Sequence, residues 1–331
     1  MNDKKNNTNN NEELFFSNLR AQSWDAFCGQ ENVKKSLQIA IQAAKQRKEP
    51  VDHTLFYGPP GLGKTTLSHL IAKELDSNLK MTAGTALSKT GDLAAILTNL
   101  KDGDVLFIDE IHRLPKSIEE TLYPAMEDFA LDIVIGKGPS ARTVRLDLPK
   151  FTLVGATTRF GLLAGPFRDR FGITHRLNFY KPKNLTSIIQ KGAEKLKVQL
   201  SPEAAAQIAS RSRGTPRIAL KLLKRIRDFA QVTNAKQIKE EQVKGSLDML
   251  AIDSLGLDDP ERIFLNKIID KHNGGPVGLS TICATISEDA GTIEEVLEPY
   301  LIQIGFIKRT PKGRVISKKA YDHLGKKYDR L

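Results

Sequence analysis

The chain has 331 residues, with 50 Lys+Arg against 39 Asp+Glu and a formal net charge of +11. That length exceeds one ordinary hydrophobic core and predicts two or three domains, while the basic balance favours an anionic partner, nucleic acid before an anionic membrane surface. Two cysteines, Cys28 and Cys283, without metal-ligand spacing, exclude a disulfide framework or zinc module and suit a reducing cytoplasm.

No apolar run reaches the roughly 18 residues that a membrane-spanning helix needs. The first thirteen residues, MNDKKNNTNNNEE, have no apolar signal core and are too polar to bury a core, so they read as a flexible tail. From Leu14 to about Tyr180, short apolar runs alternate with helical patterns. HTLFYG (53–58), DVLFIDE (104–110) and FTLVGATT (151–158) are predicted strands. Near-continuous apolar strands separated by helices imply a parallel sheet covered on both faces. Residues 131–148 differ, because two alternating runs flank GKGPSA and predict a β-hairpin.

KPKN (181–184) breaks the alternation, and helical patterns follow. SPEAAAQIASRS carries Ser201 as N-cap and Pro202 in the first turn. This stretch predicts a small helical domain, with LGLDDP (255–260) as the linker to what comes next. The last segment reads as two or three helices followed by strand, basic turn and strand, the order of a winged helix.

The chemistry concentrates in four places. GPPGLGKTT (58–66) fits G-x-x-x-x-G-K-[ST] between a predicted strand and a predicted helix. Gly58, Gly61 and Gly63 let backbone N–H groups turn toward a phosphate chain. Lys64 would reach the β- and γ-phosphates of ATP, and Thr65, followed by Thr66, would hold Mg²⁺. Asp109 and Glu110 end the second predicted strand, where α/β folds bind ligands. Asp109 would position Mg²⁺ through water, and Glu110 would act as general base on the attacking water. Thr158, at the end of the third, would bond the γ-phosphate or that water; a satisfied strand threonine is the alternative.

RDRFG supplies Arg168 and Arg170 after the third strand, as an internal Arg–Asp cluster or as cations for a neighbouring subunit's phosphate. Arg217 sits in the first turn of a helix after Gly214-Thr215-Pro216, a poor place for a cation unless an anion neutralises it. Lys221, Lys224, Arg225 and Arg227 read as a solvated basic face. Finally, Lys308 to Leu331 holds nine Lys/Arg against two Asp, and KRTPKGR (308–314) would lie along a DNA backbone.

The ordered set GPPGLGKTT, VLFIDEIHRL, LYPAMEDF, LVGATTR, RDRFGI, GTPRIA, GGPVGL and LEPYLIQIGF resembles the RuvB family, the AAA+ motors of the bacterial RuvABC Holliday junction machinery. The resemblance runs from about Leu14 to about Tyr321. It implies a disordered tail (1–13), a large α/β AAA+ P-loop domain with a parallel sheet (14–182), a small helical lid domain (183–254) and a winged-helix DNA-binding domain (255–331). It also implies a cytoplasmic homo-hexamer that uses ATP and Mg²⁺ to pump the duplex DNA of Holliday junctions. That activity serves recombination, repair and the SOS response, with RuvA docked on hairpin 131–148 and RuvC in the resolving complex.

Residue by residue, the resemblance implies that Arg170 is an arginine finger acting in trans and that Arg217 senses the γ-phosphate. Leu19, Arg20 and Tyr180 embrace the nucleotide, and Glu127, Asp128 and Phe129 lie near it. Arg309 and Arg314 lie near DNA phosphates. Ala21, Cys28, Phe129 and Ala290-Gly291 depart from the family pattern. A clamp-loader-like AAA+ switch would share the nucleotide motifs without the basic wing, and a non-enzymatic DNA-binding regulator would not need intact Lys64, Asp109, Glu110 and Arg170.

Overall fold

The structure is a computed structural model that describes residues 15–135 and 142–328. The tail expected over 1–13 and the hairpin tip GKGPSA (136–141) lie outside the described residues. The chain folds as two compact units, 1–195 with 214–221, and 196–213 with 222–331.

The first unit is built on a five-stranded sheet. Its strands are β1 (Thr54–Tyr57), β2 (Leu79–Ala83), β3 (Val105–Asp109), β6 (Thr152–Thr157) and β7 (Ile173–Arg176). Their order is β2-β3-β6-β1-β7, and every pairing is parallel. The central strands are the apolar runs seen in the sequence. All six residues of β6 are buried, and so are Val105 to Ile108 of β3. Helix α1 (Glu31–Arg47) precedes β1, and α2 (Lys64–Glu74), α3 (Thr90–Leu97) and α4 (Lys116–Glu127) follow β1, β2 and β3 in turn. Helix α1 buries Val33, Leu37, Ile41 and Ala44 along one stripe, the spacing of an amphipathic helix.

A core of Leu55, Leu106, Ile108, Leu122, Phe151, Leu153 and Phe167, among others, packs on the sheet. Strands β4 (Ala130–Ile135) and β5 (Arg142–Asp147) form the expected antiparallel hairpin. The short helix α5 (Gly165–Asp169) carries Arg168, with Arg170 as its C-cap. Helix α6 (Pro182–Lys195) belongs to this unit, as do the first residues of α8 (Pro216–Val232).

The second unit joins a helical part to a winged helix. Helix α7 (Pro202–Ser210) starts as expected, the Ser201 hydroxyl accepting the N–H of Ala204 at 3.2 Å. Its neighbours are α9 (Glu240–Met249) and the remainder of α8. The winged helix has α10 (Asp259–His272), α11 (Leu279–Ile286) and a third helical run from Ala290 to Gln303. That run contains a π turn at Ile293–Leu297 just before Pro299, where a regular helix would set the proline ring against the carbonyl four residues back. Strands β8 (Ile307–Thr310) and β9 (Gly313–Ile316) form the wing.

The LGLDDP linker is clamped. Leu257 is fully buried, and Asp253 Oδ1 accepts the N–H groups of Leu255 and Leu257. Gly256 has φ +84°, and a Cβ there would stand 2.4 Å from the Arg211 carbonyl oxygen.

Candidate active site

The phosphate-binding loop leaves β1 and enters α2 at Lys64. A Cβ on Gly61 would stand 2.8 Å from Cβ of Arg217, and the Arg217 N–H donates to the Gly61 carbonyl at 3.3 Å. Only glycine lets the loop press against the first turn of α8. Lys64 is 7% exposed and donates to the carbonyls of Gly58 and Pro59 at 2.8 and 3.0 Å. Burial lowers its pKa, and the charges of Glu110 and Asp109 oppose that shift. Phosphate oxygens would offer this ammonium stronger acceptors than two neutral carbonyls.

Asp109 closes β3, and burial raises its pKa. Glu110 follows in the left-handed region, φ 46°. Its Oε2 accepts the Thr158 hydroxyl at 3.0 Å and the Thr158 N–H at 3.3 Å. The ends of β3 and β6, adjacent in the sheet, thus bring the predicted general base and the predicted polar sensor into contact.

A cleft of 900 Å³ opens over this loop, within the size of a small-molecule site. Of the residues expected from the sequence, it is lined by Leu19, Arg20, Gly61, Gly63, Lys64, Thr65, Thr66, Asp109, Glu110, Tyr180 and Arg217. The Tyr180 hydroxyl donates to the Leu62 carbonyl at 3.0 Å, and its N–H donates to Gly214 at 2.8 Å. Arg20 loses basicity through burial. Magnesium takes only one or two protein oxygens and completes its shell from phosphates and water. Thr65 and Asp109, both lining the cleft, are oxygen donors of that kind, and no group of three or more His, Cys, Asp or Glu able to hold a metal occurs among the described residues.

Sequence reasoning missed the wall supplied by α6. Ile188, Lys191, Gly192 and Lys195 line the cleft. Lys195 Nζ donates to the Arg20 carbonyl at 2.7 Å and Lys191 Nζ to the Asp25 carbonyl at 3.2 Å, pinning the segment that carries Leu19 and Arg20. Their spacing of i, i+3, i+4 and i+7 was the available signal. Phe16, Phe27 and Met81 also line the cleft.

Arg170 is not on the cleft wall of its own chain, and neither are Glu127, Asp128 and Phe129. Arg170 lies over the Tyr123 ring at 4.1 Å, donates to the Pro166 carbonyl at 2.6 Å and pairs with Glu127 at 3.1 Å. Its carboxylate partner is therefore Glu127 rather than the adjacent Asp169. Asp128 pairs with Arg145 at 2.7 Å, and Phe129 packs edge-on against Phe151. Arg168 stacks on Phe160 at 5.1 Å.

In the hairpin, Ile133 is partly buried and packs against the core, while its cross-strand neighbour Val144 is 39% exposed. The side chains of Val134 and Ile135 lie outside the described residues.

The wing arginines are engaged. Glu298, with no exposure, accepts from Arg309 Nε and Arg314 Nε at 2.7 Å each. Arg314 also reaches Glu294 at 2.9 Å, leaving its side chain 13% exposed. Lys308 and Lys312 are exposed and have no carboxylate partner among the described residues.

No helix among the described residues is long and apolar enough to cross a membrane. Three family models match the chain in succession: the Holliday junction DNA helicase RuvB P-loop domain over 19–177, the RuvB AAA lid domain over 180–253 and the RuvB C-terminal winged helix domain over 254–325. The chain is 55% identical over 308 residues to the Holliday junction branch migration complex subunit RuvB of Fusobacterium nucleatum subsp. nucleatum, covering 93% of each. It is similar in structure to the Thermotoga maritima RuvB Holliday junction branch migration motor. The TM-score is 0.85 at 51% identity, over 94% of this chain and 99% of that one.

Proposed function

The chain belongs to the RuvB family, and we propose that it is an ATP-driven motor that pumps duplex DNA to branch-migrate Holliday junctions. The observation that carries this reading is the cleft itself. Lys64, Thr65, Asp109, Glu110 and Arg217 line one wall system, Thr158 holds Glu110 from the adjacent strand, and the finger residue Arg170 stands elsewhere.

The roles follow from placement. Lys64 and Arg217 bind the β- and γ-phosphates of ATP, and Leu19, Arg20 and Tyr180 enclose the rest of the nucleotide. Gly58, Gly61 and Gly63 shape the loop, with Thr66 beside Thr65. Thr65, and Asp109 through water, would hold Mg²⁺, which would supply neutralisation of the phosphate charge. Glu110 takes the proton of the attacking water, and Thr158, which holds that carboxylate in this structure, turns its hydroxyl to the γ-phosphate or that water. Arg170 stabilises charge on a neighbouring subunit's γ-phosphate, so hydrolysis depends on assembly as a ring, a hexamer by family resemblance. Glu127, which pairs with Arg170, and its chain neighbours Asp128 and Phe129 act at that same subunit edge.

The domain limits remain those of the sequence reading: tail 1–13, AAA+ domain 14–182, lid 183–254 and winged helix 255–331. DNA is held through its phosphates at the wing, with Lys308 and Lys312 as direct contacts and Arg309 and Arg314 first shaping the wing through Glu298. RuvA docks on hairpin 131–148, RuvC joins the resolving complex, and the setting is recombination and SOS repair in the cytoplasm. The exposed wing lysines favour this motor over a clamp-loader-like switch, which has no need of a DNA-phosphate wing.

Dissociation of a synthetic four-way junction with ATP, Mg²⁺ and RuvA tests the function. The motor reading requires strand separation that stops when ATP is replaced by a non-hydrolysable analogue. ATP hydrolysis indifferent to junction DNA and to RuvA would refute it.

A further inference from the structure

The geometry points to His112 as a positioning residue for Glu110, a role that rests on Glu110 being the general base. His112 lies two residues beyond Glu110 in the short turn Ile111–Arg113, with its side chain 6% exposed. Its Nδ1 stands 3.2 Å from Glu110 Oε2 and 2.9 Å from the hydroxyl of Thr157, which is itself fully buried at the end of β6. The Thr157 hydroxyl also accepts the Arg159 N–H at 3.0 Å.

The role of these contacts turns on which ring nitrogen carries the proton. An unprotonated Nδ1 would turn its lone pair toward a carboxylate oxygen; a protonated one donates to that oxygen and to the Thr157 hydroxyl together. On that ground we assign the proton to Nδ1. Oε2 of Glu110 then faces three donors: the Thr158 N–H, the Thr158 hydroxyl and the His112 ring. Oε1 has no donor among the described residues, and the side chain is 35% exposed. One oxygen is anchored and the other is left to take a proton from water.

The anchors are not equivalent. The Thr158 hydroxyl is the group assigned to the γ-phosphate or the attacking water, and a hydroxyl has one proton to give. When it turns to phosphate, the carboxylate keeps the Thr158 N–H, the longer of that residue's two contacts at 3.3 Å, and the imidazole. His112 is buried, lies against Thr157, and is not among the residues that line the nucleotide cleft. It holds the Glu110 carboxylate in its working orientation while Thr158 changes partner. The loss of a histidine that only braced β6 through Thr157 would cost as much with an inert glutamate as with the native one, whereas the loss of one acting through the carboxylate would cost little further, and this separates the two roles.

The test uses the full chain and reads ATP affinity, steady-state kcat and KM, and single-turnover hydrolysis. Asparagine places an N–H where Nδ1 sits, whereas the longer glutamine places its amide near the Nε2 position. His112→Asn should keep kcat within about threefold of the parent. His112→Gln and His112→Ala should lower kcat about tenfold or more, with ATP affinity and KM within about twofold, the scale of one lost charge-assisted hydrogen bond. In a Glu110→Gln background, His112→Ala should cost less than twofold further, because the residue acts through that carboxylate.

Equal kcat for the Asn and Gln variants would overturn the proposal, and that comparison stands even if the alanine variant fails to fold. So would a full additional tenfold loss in the Glu110→Gln background. Hydrolysis by Glu110→Gln alone at the parent rate would instead remove the general-base reading beneath it.

Discussion

The nucleotide cleft and the wing are both cationic in sequence, yet they hold their cations differently. In the cleft, Lys64 is buried on two carbonyls and loses basicity, and the acids nearby, Asp109 and Glu110, line the same cleft without pairing with it. In the wing, Arg309 and Arg314 converge on the buried carboxylate of Glu298, and Arg314 is tied to Glu294 as well. The cleft leaves its cation on neutral carbonyls, whereas the wing commits two of its four cations to carboxylates of its own architecture. A count of charges along a chain does not distinguish these cases; the location of the nearest carboxylate does.

The largest effect tests the cleft's completeness. Arg170→Ala should lower kcat for ATP about 10³-fold or more while leaving ATP affinity nearly unchanged, since the residue is not on its own cleft wall. Steady-state hydrolysis beside a nucleotide-binding titration checks this. Glu110→Gln should come next, binding ATP and losing about 10²- to 10⁴-fold in hydrolysis, measured by single turnover.

The wing predicts a split by residue. Arg314→Ala leaves Glu298 buried with less compensation and should destabilise the winged helix by about 3–5 kcal/mol in urea melts. Lys308→Ala and Lys312→Ala should leave the melt unchanged. Each should reduce the slope of log affinity for duplex DNA against log salt by about 0.9. Equal stability losses at all three positions would erase the contrast.

The smallest effect is a pH dependence. Glu261 is 1% exposed, and burial pushes it up to about 7 despite the pull of Arg213, 2.6 Å away. Between its ordinary value of 4.5 and about 7, the unfolded chain releases this proton while the folded unit keeps it. The unfolded state then binds fewer protons, so stability falls as pH rises through that window, by up to about 3 kcal/mol. Glu261→Gln should flatten the slope in melts from pH 4.5 to 7.5.

What the sequence discloses depends on how local the cause is. The phosphate loop, the Asp109–Glu110 pair and the three inner strands are legible because each is a contiguous run whose pattern follows from burial. Strands β2 and β7 are not, because both are sheet edges. Lys80 and Met81 are exposed, and burial alternates along ITHR, so neither shows an apolar run. The terminal helix Lys318–His323 is hidden in the same way by its lysine-rich stretch. The engagement of Arg309 and Arg314 rests on glutamates 11 to 20 residues upstream, across a helix with a π turn. The cleft wall from α6 required knowing that Lys191 and Lys195 reach back to carbonyls more than 160 residues earlier in the chain.

The central claim is that one chain holds a nucleotide site lacking only the cation that a neighbour brings. Mixing Lys64→Ala chains with Arg170→Ala chains tests it most directly. The first supplies an intact Arg170 without productive nucleotide binding, and the second binds ATP without the finger. The account predicts ATP hydrolysis by the mixture well above the sum of the two separate preparations, with a maximum near equal proportions. Hydrolysis no greater than that sum, in chains shown to co-assemble, or full activity of Arg170→Ala alone, would contradict it.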